Sequence, residues 1–144
     1  MVKRGKGVLI FTSSGAAIRP AAGWSAYCTA KAGLDHSVRT LVAEIDQQRL
    51  SVGAYSVYPR VVDSAMQEQI RGKVNDEFGR VDQVHAYHRR GVLRPPEEPA
   101  AIIWWLATPM AVAYDGQSVS FDDRDIRRHL ADDQGTTGIP GRGA

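Results

Sequence analysis

The 144-residue sequence has one cysteine, one asparagine, little excess charge and no long apolar run. A single Cys28 cannot close an internal disulfide, which excludes the small disulfide-stapled secreted scaffolds. No stretch approaches the roughly 18 apolar residues of a membrane-crossing helix. The basic start, Met1-Val-Lys-Arg-Gly-Lys-Gly, is followed by an apolar stretch of only Val8 to Phe11, too short for the core of a signal peptide. A cytoplasmic, reducing location is expected. Eighteen Lys+Arg against 16 Asp+Glu leave a formal charge of +2, which argues for neither a nucleic-acid nor a membrane partner. His85, His88 and His129 have no metal-ligand spacing among themselves or with Cys28, so no metal is expected. No Gly-x-Ser-x-Gly turn is present, which removes the serine-hydrolase reading.

The length suits one domain with a real core. Gly7 to Thr12 is a short continuous apolar run ending in small polar residues, the pattern of a strand buried on both faces of a parallel sheet. Gly23 to Gln48 has helical spacing, with Ala30, Leu34, Val38, Leu41, Val42 and Ile45 on one stripe. Ser51 to Tyr58 is a second strand, stopped by Pro59. Residues 60–94 form a long mixed excursion of the kind that serves as a lid. Within it, Met66 to Gly72 suits a short helix capped by Asp63 or Ser64, and His85 to Arg94 shows no period. Pro95-Pro96-Glu97-Glu98 opens a helix that continues from Ala100 to Thr108 and ends at Pro109. Gly116 to Phe121 reads as a third strand, and the glycines of residues 134–144 suggest a flexible tail after a domain of residues 1–133. Alternating strands and helices predict an α/β fold, a parallel sheet with crossover helices.

Three residues suit one chemistry. Tyr27 and Lys31 stand four apart in the long helix and share a face. An ammonium beside a phenol stabilises the phenolate, so the pair can move a proton. Ser14 follows the first strand, at the carboxyl edge where ligands bind in open α/β sheets, and its hydroxyl can hold a carbonyl oxygen. Spacing alone is a weak signal, because Tyr and Lys four apart are common on helix surfaces.

The longer strings are more specific. Ser13-Ser14-Gly15, with Gly23-Trp-Ser-Ala-Tyr27-Cys-Thr-Ala-Lys31-Ala32, resembles the active-site segment of the short-chain dehydrogenase/reductase family. That family has a serine thirteen residues before a Tyr-x-x-x-Lys, the interval between Ser14 and Tyr27. Tyr55-Ser-Val-Tyr-Pro59-Arg60-Val-Val-Asp-Ser64 is similar to the strand and Pro-Gly-x-x-x-Thr loop of the family, with Arg60 in place of glycine and Ser64 in place of threonine. Ser14-Gly-Ala-Ala17 and Met66-Gln67 look closest to sepiapterin reductase-like and benzil reductase-like members. The resemblance implies the carboxyl-terminal half of a Rossmann-like domain. It implies NADP or NAD as cofactor and a small carbonyl or alcohol substrate. Tyr27 would be the proton donor; Lys31 would stabilise its phenolate and hold the nicotinamide ribose, and Ser14 would hold the carbonyl. Pro59, Val62 and Ser64 would lie along the nicotinamide end.

The sequence lacks the family's glycine-rich turn opening a helix, since Gly5-Lys-Gly7 precedes a strand. It also lacks the helix with a catalytic asparagine, since Asn75 lies in the lid region. The first strand is therefore expected at an open edge, available to another chain or to a homo-oligomer. Alternative readings are a truncated non-catalytic remnant, or a piece that works beside a separate amino-terminal half. Trp104 and Trp105 suit core packing or an oligomer contact. Cys28 suits packing; Arg89, Arg90 and Arg94 could attract an anionic substrate, but a solvated loop is the better reading.

Overall fold

A computed structural model describes residues 2–73 and 80–136. Its sheet has three parallel strands in the order β1 (Lys6–Thr12), β2 (Ser51–Tyr58), β3 (Ser118–Ser120). Lys6 pairs with Ser51 and Thr12 with Val57, while Ser56 to Tyr58 pair with Ser118 to Ser120. Parallel neighbours require crossovers, and the chain supplies them as helices. Helix α1 (Ser25–Gln47) joins β1 to β2; α2 (Ala65–Arg71), α3 (Val81–Arg89) and α4 (Glu97–Leu106) lie between β2 and β3; α5 (Arg124–Thr136) follows β3.

Strand alternation divides the core between the two faces of the sheet. Val52 and Ala54 pack with Val38 and Ile45 of α1, and Leu9 and Phe11 join them from β1. Tyr55, Val57 and Val119 face the other way, onto Ile102, Trp105 and Leu106 of α4 and Ile126 of α5. β2 is the central strand, and six of its eight residues are buried. β1 is the outer strand, with no partner beyond it among the described residues, and Val8 to Phe11 are only half-buried. A cleft of about 370 Å³ runs along that flank, lined in part by Phe11, Leu34, Val38 and Leu41. No described helix is long and apolar enough to cross a membrane.

Several expectations are corrected. The aperiodic stretch from His85 lies partly in α3, whose Val81 and Val84 are buried one turn apart while Asp82, His88, Arg89 and Arg90 stay exposed. Two apolar anchors suffice for a short helix once a neighbour covers them. Helix α5 was not anticipated, because its first ten residues include only Ile126, Leu130 and Ala131 as apolar residues, and only Ile126 and Leu130 pack into the core beside α4. It passes residue 133 and runs to Thr136; residues 137–144 lie outside the described residues, as does Asn75. On α1, Ala30 is exposed, and Asp35, absent from the apolar stripe, is buried. Of the two tryptophans, Trp105 is 1% exposed and Trp104 is 75% exposed.

Candidate active site

The carboxyl ends of the three strands place three loops side by side, one strand spacing apart (about 4.8 Å). The loop after β1 carries the serine pair. Ser13 is buried, and its N–H donates to the Val57 carbonyl at 2.8 Å, which ties this loop to β2. Ser14 is extended (φ −156°, ψ 153°) and only half-buried. Its Oγ accepts the Ala16 N–H at 3.2 Å and so caps the short turn Gly15–Ala17. A hydroxyl that accepts one such bond keeps its own hydrogen to donate. Of the two serines, Ser14 is therefore the one able to meet a carbonyl oxygen.

Helix α1 begins at this same edge and presents Tyr27 and Lys31 one turn apart. The Lys31 ammonium donates to the Thr12 carbonyl oxygen at 2.8 Å, at the last residue of β1. It also lies 5.7 Å from the Tyr27 ring centroid, within cation–π range. Trp24 meets the Tyr27 ring edge-on at 5.4 Å, and the Arg80 guanidinium lies 5.8 Å over Trp24. Tyr27 is 37% exposed, open to a ligand, while its ring orientation is set from both sides. Cys28 is half-buried beside it with a free thiol.

The loop after β2 holds Pro59, Val62 and Ser64. Val62 bridges to Arg94 in parallel; the Arg94 N–H donates to the Val61 carbonyl at 2.9 Å, and the Asp63 N–H donates to the Arg94 carbonyl at 2.8 Å. Ser64 precedes α2 with an exposed side chain that makes no capping bond. Arg60 has φ +66°, a conformation suited to glycine. The loop therefore keeps its left-handed residue, although arginine occupies the position. For a non-glycine residue this costs roughly 1–2 kcal/mol. The Arg60 Nε pairs with Asp122 Oδ2 at 2.7 Å, but both side chains are nearly half exposed, so the pair returns at most about 1 kcal/mol. Glycine would itself lose roughly 0.5–1 kcal/mol in chain entropy. Arg60→Gly is accordingly expected to leave stability nearly unchanged.

Arg94 is not the solvated residue expected. It pairs with Glu98 at 2.8 Å and Asp122 at 3.3 Å and stacks 4.1 Å over Phe121. His129 stacks on Trp105 at 5.1 Å. No metal-binding group of His, Cys, Asp and Glu occurs among the described residues.

One buried pair escaped the sequence reading. Asp35 continues the line Tyr27, Lys31 down α1, and its Oδ2 accepts hydrogen bonds from the Tyr58 hydroxyl and from Ser118 Oγ at 3.4 Å. This joins α1 to β2 and β3 beneath the site. The signal was the eight-residue interval from Tyr27 to Asp35, which continues one helix face. Burial, and then the bond to Asp35, push the Tyr58 phenol above its ordinary 10.0. Tyr55 moves the same way, from burial and then the charge of Asp115. The folded state keeps these protons where the unfolded chain releases them. Their contribution is whole below about pH 10 and is lost as pH rises through the folded values. Urea midpoints should therefore fall above that pH, and less steeply in Tyr58→Phe. Equal slopes in both proteins would remove Tyr58 as a source.

The chain is similar in sequence and fold to known proteins. The family model for short chain dehydrogenases matches residues 1–75. A benzil reductase ((S)-benzoin forming) of Bacillus subtilis strain 168 is 39% identical over 93 residues, covering 65% of this chain and 38% of the relative. A crystal structure of a Saccharomyces cerevisiae short-chain dehydrogenase/reductase superposes with a TM-score of 0.72 at 30% identity, covering 88% of this chain and 49% of that one. A polyketide ketoreductase structure with NADPH shares the fold, with a TM-score of 0.70 at 22% identity. The chain thus spans about half the length of the relatives it matches.

Proposed function

The chain belongs to the short-chain dehydrogenase family, and on that premise we propose that it carries the reaction centre of an NAD(P)-dependent reductase of carbonyl compounds. The observation that carries this reading is the Lys31 ammonium, held at 2.8 Å by the Thr12 carbonyl at the strand end and facing the Tyr27 ring. Ser14 donates its hydroxyl hydrogen to the substrate carbonyl oxygen and orients it. Tyr27 delivers its phenolic proton to that oxygen, and Lys31 offsets the phenolate charge left behind. When bound, a nicotinamide cofactor would supply the hydride that reduces the carbonyl carbon, the C=O double bond becoming a C–OH single bond with the proton from Tyr27. Tyr27 then regains a proton from water.

The described residues fit only one end of such a cofactor. Tyr27 and Lys31 would hold the nicotinamide ribose, and Pro59, Val62 and Ser64 would flank the nicotinamide. No glycine-rich turn opening a helix is available for the pyrophosphate among the described residues. That cradle would come from chain docked along the open β1 edge, beside the flanking cleft. A remnant without activity is the competing reading, favoured by the same open edge.

The test is NAD(P)H consumption with benzil, first by this chain alone and then by a polypeptide that also includes the reading frame upstream of Met1. Turnover in either supports the reductase; its absence in both supports the remnant. NADH and NADPH run in parallel decide the cofactor.

A further inference from the structure

The reductase reading leaves Arg60 unexplained. Its left-handed backbone is only partly offset by an exposed ion pair and glycine would be about as stable, so stability does not select an arginine there. Its surroundings do. Asp122, just past β3, presents one carboxylate oxygen to Arg60 Nε at 2.7 Å and the other to Arg94 Nη2 at 3.3 Å. Two guanidinium groups thus converge on one carboxylate at the edge that also carries Ser14 and Tyr27.

The two cations are placed differently from the anion. Arg94 is held from every side, by backbone bonds to Val61 and Asp63, by Glu98, and by the face of Phe121. The turn after β3 is closed by Asp123, whose Oδ2 accepts the Ser120 N–H at 2.8 Å, so the Asp122 carboxylate can leave without undoing it. With Asp122 swung away, Arg60 and Arg94 against Glu98 leave one net positive charge, the complement of a monocarboxylate.

We propose that Arg60 and Arg94 form a carboxylate subsite, filled in the free protein by Asp122 as an internal stand-in, and that it selects a carbonyl substrate bearing a carboxylate. The assignment of substrate class rests on the reductase reading; the subsite itself does not. Planar guanidinium groups suit this ligand, because their paired N–H donors match the two carboxylate oxygens. Asp122 competes with the substrate, so affinity is set by how readily it is displaced.

The experiment is calorimetric titration of the 144-residue chain, without cofactor, with phenylglyoxylate and with its neutral methyl ester. The acid should bind about tenfold or more tightly than the ester, and high salt should reduce the difference. Arg60→Gly should abolish the preference while leaving ester binding and the melting temperature close to wild type. Asp122→Asn should tighten acid binding several-fold, since the competing charge is gone. Equal binding of acid and ester, no binding of the acid, or an Arg60→Gly protein that keeps the preference overturns the subsite. So does Asp122→Asn weakening the acid. A large fall in melting temperature in Arg60→Gly with unchanged preference would show a strut instead. Preference for the acid without any NAD(P)H consumption overturns the reductase reading alone; equal turnover of acid and ester overturns the subsite alone.

Discussion

Tyr27→Phe is expected to remove most carbonyl reduction, by roughly 10²- to 10⁴-fold in turnover, the usual contribution of a positioned proton donor. The ring remains, so its edge contact with Trp24 and its place beside the Lys31 ammonium remain too. Only the proton is lost. Because Tyr27 is 37% exposed and its hydroxyl anchors nothing in the core, stability should change by no more than about 0.5 kcal/mol. Substrate KM should move far less than kcat, since the interaction lost is one made in the transition state. Steady-state kinetics on whichever preparation consumes NAD(P)H will check this. A variant with unchanged kcat would reject Tyr27 as proton donor, whatever the fate of the other roles.

Trp105→Ala is expected to cost roughly 3–5 kcal/mol, the range for truncating a large buried aromatic side chain. Trp105 is 1% exposed and stands among Ile102, Leu106, Val119 and Ile126, with His129 stacked on its face at 5.1 Å and Tyr114 edge-on at 5.5 Å. It is the post that holds α4 and α5 against the sheet. Its Nε1 is buried with no hydrogen-bond partner among the described residues, so Trp105→Phe gives up area but no bond and should cost much less. Trp104→Ala, at a residue 75% exposed, is the control and should stay within about 0.5 kcal/mol. Urea unfolding of the three variants gives the comparison. A domain stabilised by only about 5–15 kcal/mol would lose a large share of its margin in the first and little in the last. Equal losses at Trp104 and Trp105 would mean that α4 packs through its other face.

Tyr27 and Lys31 were legible as a pair because helical periodicity places residues four apart on one face wherever the helix goes. Ser14 was legible because small polar residues ending an apolar run mark the carboxyl end of a buried strand. Trp104 and Trp105 were not separable in the same way. Adjacent residues on a helix point about 100° apart, and which one meets the core depends on where α5 lies. Asp35 was missed for a related reason. A carboxylate on an apolar face reads as an interruption until Tyr58 and Ser118, distant in sequence, arrive to hydrogen-bond it. Arg94 changed most, from a loop cation to a residue fixed by two carboxylates and a ring.

By itself the sequence determined the local features: the strand β1, the long helix α1, the central strand β2 and the Tyr27–Lys31 face. Each follows from hydrophobic period or turn chemistry, which act within a few residues. Only the tertiary structure decided what those features meet: that Lys31 reaches Thr12, and that Arg60 and Arg94 converge on one carboxylate. Contacts between residues 19 to 62 positions apart depend on how parallel strands and their crossovers stack, and no local pattern encodes the distance between two loops.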